Sequence, residues 1–495
     1  MLQKKTKTVV IIGSGFSGLS ASAVLAAQGE NVRVFEKNEA VGGRARKLES
    51  NGFLFDMGPS WYWMPDVFEK YYNLFEHTTS DFYDLKKLDP GFKVIFGKDD
   101  YVDIPENFEL LCQLFENIEK GAGSKLKQFI DDGEYKYKVG MNDLVYQPSH
   151  SITEFFSLSL LKDVTKLQLF SSFSKHVRKY FKNPRLISII EFPVLFLGAM
   201  PKDTPALYSL MNYSGMKQGT FYPIGGFTKV VDAFKKIADN NGVTFQTSAN
   251  VEKIELNSNT ISHIHAKGAA FKTDAVIGAA DYHHIEKALL PEKYRSYDES
   301  YWDKKTFAPS CLIFYLGINK KVNKLKHHNL FFDEDLDAHA QEIYKDKKWP
   351  TSPLFYVCCP SKTDATVAPV GSENLFLLMP IATGLEDSEK EREYYFDVLL
   401  SRLEKYVGED IRSNIVYKKS YSVSDFKSDY NSYKGNAYGL ANTLFQTAIY
   451  KPKMKSKKVN NLFFAGQLTV PGPGVPPSII SGQVAAKEVL KYFKQ

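Results

Sequence analysis

The sequence is poor in cysteine and has no metal-binding pattern built on it. Its four cysteines are Cys112, Cys311, Cys358 and Cys359, without a CxxC pair or the Cys/His spacing of a zinc site. The neighbours Cys358 and Cys359 are poorly placed to bond to each other. This usage favours a reducing, cytoplasmic setting over a disulfide-stabilised one.

Apolar runs long enough to span a bilayer are also missing. The longest apolar stretch, near residues 187–200, is interrupted by Glu191 and Pro193, whereas a spanning helix needs about 20 apolar residues. Residues 1–8 are polar and basic and lack the apolar core of a signal peptide. We therefore expect a protein that does not cross a membrane.

Strong charge is absent as well. A net charge of +6 over 495 residues is too small and too dispersed to predict nucleic-acid binding. Hydrophobic residues make up 43% and charged residues 24%, which is typical of a globular chain of two or three domains. Aromatic residues reach 14%, so we expect a large apolar interior or cavity.

The first forty residues contain the most informative motif. The segment TVVIIGSGFSGLSASAVLAAQGENVRVFEKN, residues 8–38, reads as strand, glycine turn, helix and strand. Val9 to Ile12 is a continuous β-branched run, typical of a strand buried on both faces. The run from Val32 to Phe35 completes a βαβ unit with GxGxxG at its turn. This arrangement predicts a Rossmann-like α/β domain that binds a dinucleotide.

Each glycine of this turn has a physical role. Gly13 allows the tight turn, Gly15 leaves room for a pyrophosphate, and Gly18 lets helix and strand pack closely. The pyrophosphate is expected at the helix N-terminus, where free N–H groups favour negative charge. Glu36 is expected to accept hydrogen bonds from the adenosine ribose. The other residues predicted to bind the cofactor here are Ser14, Phe16, Ser17 and Lys37.

The motif alone does not separate NAD from FAD, but the next segment favours FAD. VGGRARKLESNGFLFDMGPS, residues 41–60, places Gly43 and Arg44 directly after the βαβ unit and ends in Gly58, Pro59 and Ser60. This continuation resembles flavoproteins of the amine oxidase and phytoene desaturase superfamily. The resemblance implies that these residues lie along the FAD phosphates and ribityl chain, where Arg is a well-suited donor. A surface ion pair is the alternative interpretation of Arg44.

The chain closes with an unusual segment, NLFFAGQLTVPGPGVPPSIISGQVAAKEVL, residues 461–490. In the same superfamily a C-terminal strand, turn and helix closes over the flavin. By this resemblance, Gly466 and Gln467 lie near the ribityl chain and phosphates, and Gly474, Val475 and Pro476 lie near the ring. Helix N-terminal amides are expected to face the pyrimidine side of the isoalloxazine, where negative charge develops on reduction. A proline-rich surface loop is the less fitting alternative.

Several motifs together resemble a narrower family, the bacterial-type phytoene desaturases and related carotenoid desaturases. They are GSGFSGLSA, GGRA, FDMGPS, FYPIGGFTKVVDAF, the APVG spacing within residues 357–380, and FFAGQLTVPGPGVPPSIISGQ. The resemblance implies an FAD-dependent oxidoreductase that inserts C=C bonds into a C40 isoprenoid chain, with oxygen or a quinone as electron acceptor. It extends both to phytoene desaturases that make lycopene and to 1'-hydroxycarotenoid 3,4-desaturases, and it favours the latter. Pro473 departs from many relatives, which have a small residue there.

The resemblance also divides the chain into two domains. Residues 1–80, 220–290 and 455–495 are expected to form a discontinuous FAD-binding domain, in which Val251 lies near the adenine. Residues 81–219 and 291–454 are expected to form an α+β substrate-binding domain. No internal repeat or low-complexity linker separates these parts.

Few side chains are candidates for acid–base chemistry. Glu154, in SITEFF, lies about where relatives carry an acidic residue proposed for this role, and apolar walls would raise its pKa. The spacing from Ser151 to Glu154 is equally that of a helix capping box. Glu191 and Asp203 are weaker candidates.

No metal site is predicted. The adjacent pairs His283–His284 and His327–His328 are the closest approach to one. Because neighbouring side chains on a strand point apart, such pairs rarely bind one ion, and we expect both pairs at the surface.

Residues 151–218 are lipophilic and, from Lys162 to Arg185, strongly basic. Helical spacing would give a basic amphipathic surface of the kind that binds anionic lipid headgroups. An ordinary amphipathic helix with a solvated basic face is the alternative. Because a C40 hydrocarbon is nearly insoluble in water, the substrate favours a cytoplasmic protein bound peripherally to a membrane.

Two other classes of protein share the N-terminal motif. A flavin amine oxidase normally needs an aromatic cage and often a covalent cysteine link, and the C-terminal flavin segment has no cysteine. A prenyl-binding chaperone, such as a GDP-dissociation inhibitor of small GTPases, lacks flavin. Intact Gly43, Arg44 and the PGPG turn argue against the chaperone.

Overall fold

The computed structural model describes residues 6–151, 167–168, 171–195, 198–443 and 445–495. Its strands are β1 (Thr8–Ile12), β2 (Asn31–Phe35), β3 (Lys47–Ser50), β4 (Phe53–Asp56), β5 (Leu85–Lys87), β6 (Phe92–Gly97), β7 (Asp100–Ile104), β8 (Phe221–Pro223), β9 (Thr244–Gln246), β10 (Val251–Asn257), β11 (Thr260–Ala266), β12 (Ala269–Lys272), β13 (Ala275–Gly278), β14 (Ser310–Ile318), β15 (His328–Phe331), β16 (Phe355–Cys358), β17 (Glu373–Ile381), β18 (Ile415–Tyr421) and β19 (Leu462–Phe464).

The α-helices are α1 (Phe16–Ala27), α2 (Pro65–Asn73), α3 (Phe108–Ile118), α4 (Ala122–Val139), α5 (Phe173–Val177), α6 (Pro184–Leu195), α7 (Leu210–Asn212), α8 (Phe227–Asn240), α9 (Tyr282–His284), α10 (Glu299–Asp303), α11 (Leu336–Gln341), α12 (Glu389–Val407), α13 (Val423–Tyr430) and α14 (Val475–Tyr492). Short 3-10 and π turns join several of them.

A parallel sheet joins segments from both ends and the middle of the chain. Its strand order is β19-β13-β1-β2-β9, and every neighbouring pair is parallel. Alternate residues of β1 face opposite sides, as the pleat of a strand requires. Val9 and Ile11 pack with the helices, whereas Val10 and Ile12 pack with the antiparallel β10-β11-β12 sheet. The sheet is therefore the middle of three layers.

The first and last helices touch through backbone on the helical face of this sheet. The hydroxyl of Ser20 in α1 donates to the carbonyl of Ile479 in α14 at 2.8 Å. A Cβ on Gly482 would stand 2.3 Å from the carbonyl oxygen of Ser17. No side chain fits at that position, so glycine lets the two helices approach closely.

A seven-stranded mixed sheet forms the second large unit, in the order β18-β14-β17-β16-β15-β6-β7. Residues Leu312, Phe314 and Leu316 of β14 pack in a core with Leu399 and Leu403 of α12. The alternate residues of β14 face the other way and reach a large cavity described below. One face of the sheet is thus structural, and the other forms a wall of the site.

These layers and the comparisons given below confirm the predicted α/β fold class, with an α+β portion beside the dinucleotide-binding sheet. The division into FAD-binding and substrate-binding domains at the predicted bounds stays a proposal. Within the described residues, none of the helices combines the length and apolar character needed to traverse a bilayer.

Replacing Gly482 with Ala should destabilise the protein, because its methyl group would overlap the Ser17 carbonyl in a fully buried contact. Overpacking of this kind typically costs about 1–3 kcal/mol. Chemical denaturation measures the loss. Lys487→Ala, on the exposed side of the same helix, is the matched control and should change stability by less than about 0.5 kcal/mol. Unchanged stability of the Gly482→Ala protein would contradict the close helix contact.

Candidate active site

One long cavity of about 450 Å³ collects the glycine turns from both ends of the chain. All but one of the predicted cofactor residues line it: Gly13, Ser14, Gly15, Phe16, Ser17, Glu36, Lys37, Gly43, Arg44, Gly58, Pro59, Ser60, Val251, Gly466, Gln467, Gly474, Val475 and Pro476. Gly18 is the exception and lies beneath the turn. A Cβ there would stand 2.1 Å from the Gly13 carbonyl oxygen, which is the packing role expected of it.

The N-terminus of helix α1 has no side-chain cap. Helix α1 begins at Phe16, and its N-cap residue is Gly15, which offers no capping side chain. The first N–H groups of the helix are therefore available to a hydrogen-bond acceptor such as a bound anion. A Cβ on Gly15 would come no closer than 4.0 Å to any protein atom. The space beside Gly15 is thus larger than the protein itself requires, as a bound pyrophosphate would need.

Glu36 is already bound to the glycine turn. One carboxylate oxygen accepts hydrogen bonds from the Ser14 amide at 2.9 Å and the Ser14 hydroxyl at 2.7 Å. The other accepts from the Asn38 amide at 2.9 Å and its side chain at 3.0 Å. Glu36 therefore orients the turn as well as lining the cavity where a ribose is predicted.

Arg44 is not the surface ion pair that the sequence left open. It lines the cavity, and its Nη2 donates to the Ser432 hydroxyl at 3.3 Å and the Asn436 carbonyl at 3.1 Å. Its Nε is buried and has no hydrogen-bond partner among the described residues, and burial lowers the pKa of the guanidinium. The two groups that accept from Nη2, the Ser432 hydroxyl and the Asn436 carbonyl, are uncharged. A buried guanidinium with an unused donor fits the phosphates of FAD.

The C-terminal turn completes the same site. A Cβ on Gly466 would stand 3.3 Å from the Ser17 hydroxyl, so the two glycine turns are direct neighbours. Gly474 has a φ of +110° and precedes helix α14. The helix offers fewer amide donors than expected, because Pro476 and Pro477 have no N–H and the Ser478 amide donates to the Gly474 carbonyl at 3.0 Å. The amide of Val475 and the helix macrodipole are left for the flavin.

Several residues of the dinucleotide half were not predicted as cofactor residues. The lining also includes Asp281, His284, Tyr430 and Asn431. Asp281 follows β13 at the carboxyl edge of the parallel sheet, so the rule that ligands bind at this edge could have found it. The other signals are weak, because Tyr430 and Asn431 come from a distant helix end with no motif of its own.

The far half of the cavity is apolar and lined by side chains from α6 and from the segments around β15–β17. Its lining residues include Phe192, Leu195, Met211, Leu336, Ile343, Leu354 and Leu378. Polar groups are sparse among them. Elsewhere in the cavity wall, the Cys311 thiol donates to the Tyr438 hydroxyl at 3.8 Å. This half suits a long hydrocarbon and excludes water.

The sequence candidates for acid–base chemistry are not at the cavity in the described part of the chain. Glu154 lies outside the described residues. Glu191 is buried and ion-paired with Arg178, and burial still raises its pKa. Asp203 is partly exposed in a turn. Neither Glu191 nor Asp203 lines the cavity.

The expectation of surface histidines is wrong for His327–His328. Both are buried, because β15 lies inside the large sheet between β16 and β6. The His327 Nδ1 is 2.7 Å from the Thr363 hydroxyl, and the His328 Nδ1 is 2.5 Å from the Tyr356 hydroxyl. The Cys358 sulfur lies 3.8 Å from the same His328 nitrogen. Hydrogen bonds thus already engage both Nδ1 atoms, and the absence of a metal stays a prediction.

The other histidine pair is also less exposed than expected. His283 and His284 are half-buried, and His284 lines the dinucleotide half of the cavity. Burial lowers the pKa of His284 to about 4. A neutral imidazole therefore faces this part of the site at neutral pH.

A parallel sheet, two facing glycine turns and an apolar extension of the same cavity define a dinucleotide-dependent oxidoreductase. Comparison with known proteins specifies the class. Residues 16–490 match the family "Flavin containing amine oxidoreductase". A carotenoid 3,4-desaturase of Haloarcula japonica is 41% identical over 98% of both chains. A 4,4'-diapophytoene desaturase of Staphylococcus haemolyticus is 30% identical over 98% of both chains.

Solved structures show the same fold at low sequence identity. An oxidoreductase from Methanosarcina mazei has a TM-score of 0.63 at 16% identity, covering 98% of this chain and 100% of its own. Putrescine oxidase with bound putrescine has a TM-score of 0.63 at 16% identity, covering 98% and 99%. The chain belongs to the flavin-containing amine oxidoreductase family and, within it, to the carotenoid desaturases. The predictions of FAD as cofactor and of an oxidoreductase are confirmed.

Replacing Gly15 with Val should give a folded protein with little or no FAD. The protein has room for a side chain at this position, so the loss would come from blocked approach of the pyrophosphate. Flavin absorbance per chain and the melting temperature of the apoprotein measure the two effects separately. Gly15→Ala is the graded comparison and should retain more flavin. A Val variant with full flavin content would contradict the assignment of this turn.

Proposed function

We propose that this protein is an FAD-dependent carotenoid desaturase that introduces a C=C bond at the 3,4 position of a 1'-hydroxycarotenoid. The observation that carries the proposal is the single cavity that joins the dinucleotide turns to an apolar extension. The 41% identical carotenoid 3,4-desaturase supports the same substrate class and bond.

FAD supplies the redox chemistry, since its ring accepts a hydride from an unactivated carbon. The protein holds the dinucleotide through the N-terminal turn, Arg44 and the C-terminal turn. The apolar residues exclude water and align the substrate chain, so that orientation supplies much of the rate enhancement. Oxygen or a quinone is the proposed electron acceptor.

A rod-shaped substrate would enter the apolar half with one end toward the flavin. Only the bond that reaches the flavin would then react. The position of the new double bond therefore depends on how far the substrate enters the cavity. In the numbering of the hydroxylated end, the 3,4 bond lies near the end of the chain, two carbons from the carbon that carries the hydroxyl. The Tyr438 hydroxyl and the Cys311 thiol offer polar contacts near the flavin site, because the neighbouring Asn436 carbonyl accepts from Arg44. These contacts favour the hydroxylated end over a plain hydrocarbon.

Phytoene desaturation to lycopene is the second candidate. The 30% identical diapophytoene desaturase favours it, because its substrate is named without a hydroxyl. Amine oxidation receives less support, since the putrescine oxidase likeness is 16% identity and shows the fold alone.

Peripheral membrane association is part of the proposal. In the described part of the basic segment, Lys175, Arg178, Lys179 and Lys182 are exposed, whereas Phe173, Val177 and Phe181 are buried. Here the cations face solvent and the aromatic residues face the core. Contact with anionic headgroups would therefore be electrostatic at this face, without insertion of these aromatic residues.

The substrate is tested with liposome-embedded phytoene and 1'-hydroxy-γ-carotene offered separately to the FAD-loaded enzyme. We expect a red shift of carotenoid absorbance with the hydroxylated substrate, because conjugation lengthens by one double bond. Product mass, lower by two hydrogens per bond, identifies the reaction. A shift with phytoene alone would support the second candidate, and flavin reduction by a primary amine without either shift would overturn the desaturase.

Reversing the charge of Lys175, Lys179 and Lys182 to Glu should reduce binding to anionic liposomes, and Arg178 is kept because it pairs with the buried Glu191. Binding of the native protein should also weaken with salt, because exposed charges are screened over about 8 Å at physiological ionic strength. Liposome flotation measures both effects. A matched variant reverses Lys345, Lys347 and Lys348, which are exposed elsewhere, and should float normally. Equal flotation of the first variant and the native protein would leave the segment as an ordinary solvated helix.

A further inference from the structure

A polar cluster in the cavity wall joins Ser60, a predicted cofactor residue, to side chains that were not predicted to bind the cofactor. Ser60, Trp61 and Tyr356 line the cavity side by side. The Tyr356 hydroxyl lies 3.0 Å from the Ser60 hydroxyl and 2.5 Å from the His328 Nδ1. His328 itself is fully buried behind this wall. Burying such a group costs stability unless its polar atoms are used, which points to a function.

We propose that Tyr356 and His328 together accept the proton that desaturation releases from the substrate. This inference rests on the proposed function, since a desaturase must remove a hydride from one carbon and a proton from its neighbour. Tyr356 is the catalytic residue, because it faces the substrate space. His328 acts through Tyr356.

The proton moves from the substrate carbon to His328 through the Tyr356 hydroxyl. The hydride leaves with its electron pair to FAD, and the electron pair of the second C–H bond becomes the new π bond. The released proton goes to the Tyr356 oxygen while the Tyr356 hydroxyl proton passes to the His328 Nδ1. A neutral tyrosine and an imidazolium result. When a quinone or oxygen later removes the hydride, it takes up this proton as well.

Burial makes the pair a weak base, which suffices for the strongly acidic C–H bond beside a carbon that has lost a hydride. Burial lowers the pKa of His328 well below its usual range and raises that of Tyr356, so both are neutral before the reaction. Among the described residues, the titratable groups around the pair are His327, Cys358, Tyr438 and Asp56, a buried carboxyl whose pKa is raised to about 7 by burial and which lines a small cleft with Ser60, His327 and Cys358. Burial lowers the pKa of His327 to about 3 and raises the pKa values of Cys358 and Tyr438. His327, Cys358 and Tyr438 are neutral at neutral pH, and after burial His327 is the second cause that lowers the pKa of His328.

Trp61 is placed to stabilise the imidazolium. The rings of Trp61 and His328 are stacked, with centroids 4.1 Å apart and planes at 9°. A cation over an indole face gains electrostatic energy, and the gain is larger away from water. The Ser60 hydroxyl holds the Tyr356 hydroxyl from the cavity side. Trp61 therefore stabilises the positive charge that His328 carries after it takes up the proton.

The first test measures single-turnover reduction of the flavin by carotenoid in the absence of oxygen. Tyr356→Phe should slow reduction by about 100-fold or more, the usual contribution of a general base, while FAD content stays unchanged. His328→Asn retains a hydrogen-bond acceptor for Tyr356 but cannot take a proton, and should be slowed similarly. Tyr395→Phe removes a buried hydroxyl that donates to the Pro350 carbonyl at 2.9 Å outside the cavity, and should reduce at the native rate. Native rates in Tyr356→Phe or His328→Asn would overturn the proposal.

The pH profile gives a separate signature of His328. Because its pKa lies well below the usual histidine value of about 6.5, native flavin reduction should be constant through neutral pH and fall only in acid. In His328→Asn this acid limb should disappear. A limb retained unchanged in that variant would assign it to another group and overturn the role of His328.

A second test needs no turnover. Nitrogen-15 NMR of histidine-labelled, FAD-loaded protein should show an unprotonated His328 Nδ1 that accepts a hydrogen bond, and the signal should shift in Tyr356→Phe. A protonated Nδ1, or a metal ion bound there in the purified protein, would overturn the pair. If no carotenoid reduces the flavin of the native enzyme, the proposed function fails. The nitrogen signals still show, independently, whether Tyr356 donates a hydrogen bond to His328.

Discussion

The structure depends on the backbone contact between the first and last helices. Gly482 lets α14 approach the Ser17 carbonyl so closely that a Cβ has no room. The same approach brings Gly466 to the Ser17 hydroxyl. Two turns from opposite ends of the chain thereby become one rim, and a ligand that spans both can bind only while the chain ends are together.

A buried cation gives this rim its preference for phosphate. Arg44 follows the first βαβ unit and reaches across to the Ser432 hydroxyl and the Asn436 carbonyl. Its two hydrogen-bond acceptors are neutral, and its Nε has no partner among the described residues, so burial of this cation is costly although Asp281 offsets part of the cost. A bound anion would lower the cost further. Asn436 accepts a hydrogen bond from Arg44, and Tyr438, two residues later, lines the cavity. One short segment therefore connects the predicted phosphate contact with the substrate space.

The glycine motifs were sufficient to predict strands β1 and β2, the first helix and residues that line the cavity, because each motif places its own backbone. The burial of His327 and His328 was missed, since it depends on β15 being an interior strand of a sheet whose partners come from distant segments. Tyr430 and Asn431 were missed for the same reason. The overestimate of amide donors at α14 had a local cause, since Pro476 and Pro477 could have been counted from the sequence.

The most direct measurement is a crystal structure of the FAD-loaded enzyme. We expect the pyrophosphate at the N-terminus of α1 with Arg44 within hydrogen-bond distance of a phosphate oxygen. The isoalloxazine should lie against residues 474–476, with its free face opening on the apolar half of the cavity. A dinucleotide whose ring lies away from that turn, or whose phosphates leave Arg44 unpaired, would contradict the single site formed by both chain ends.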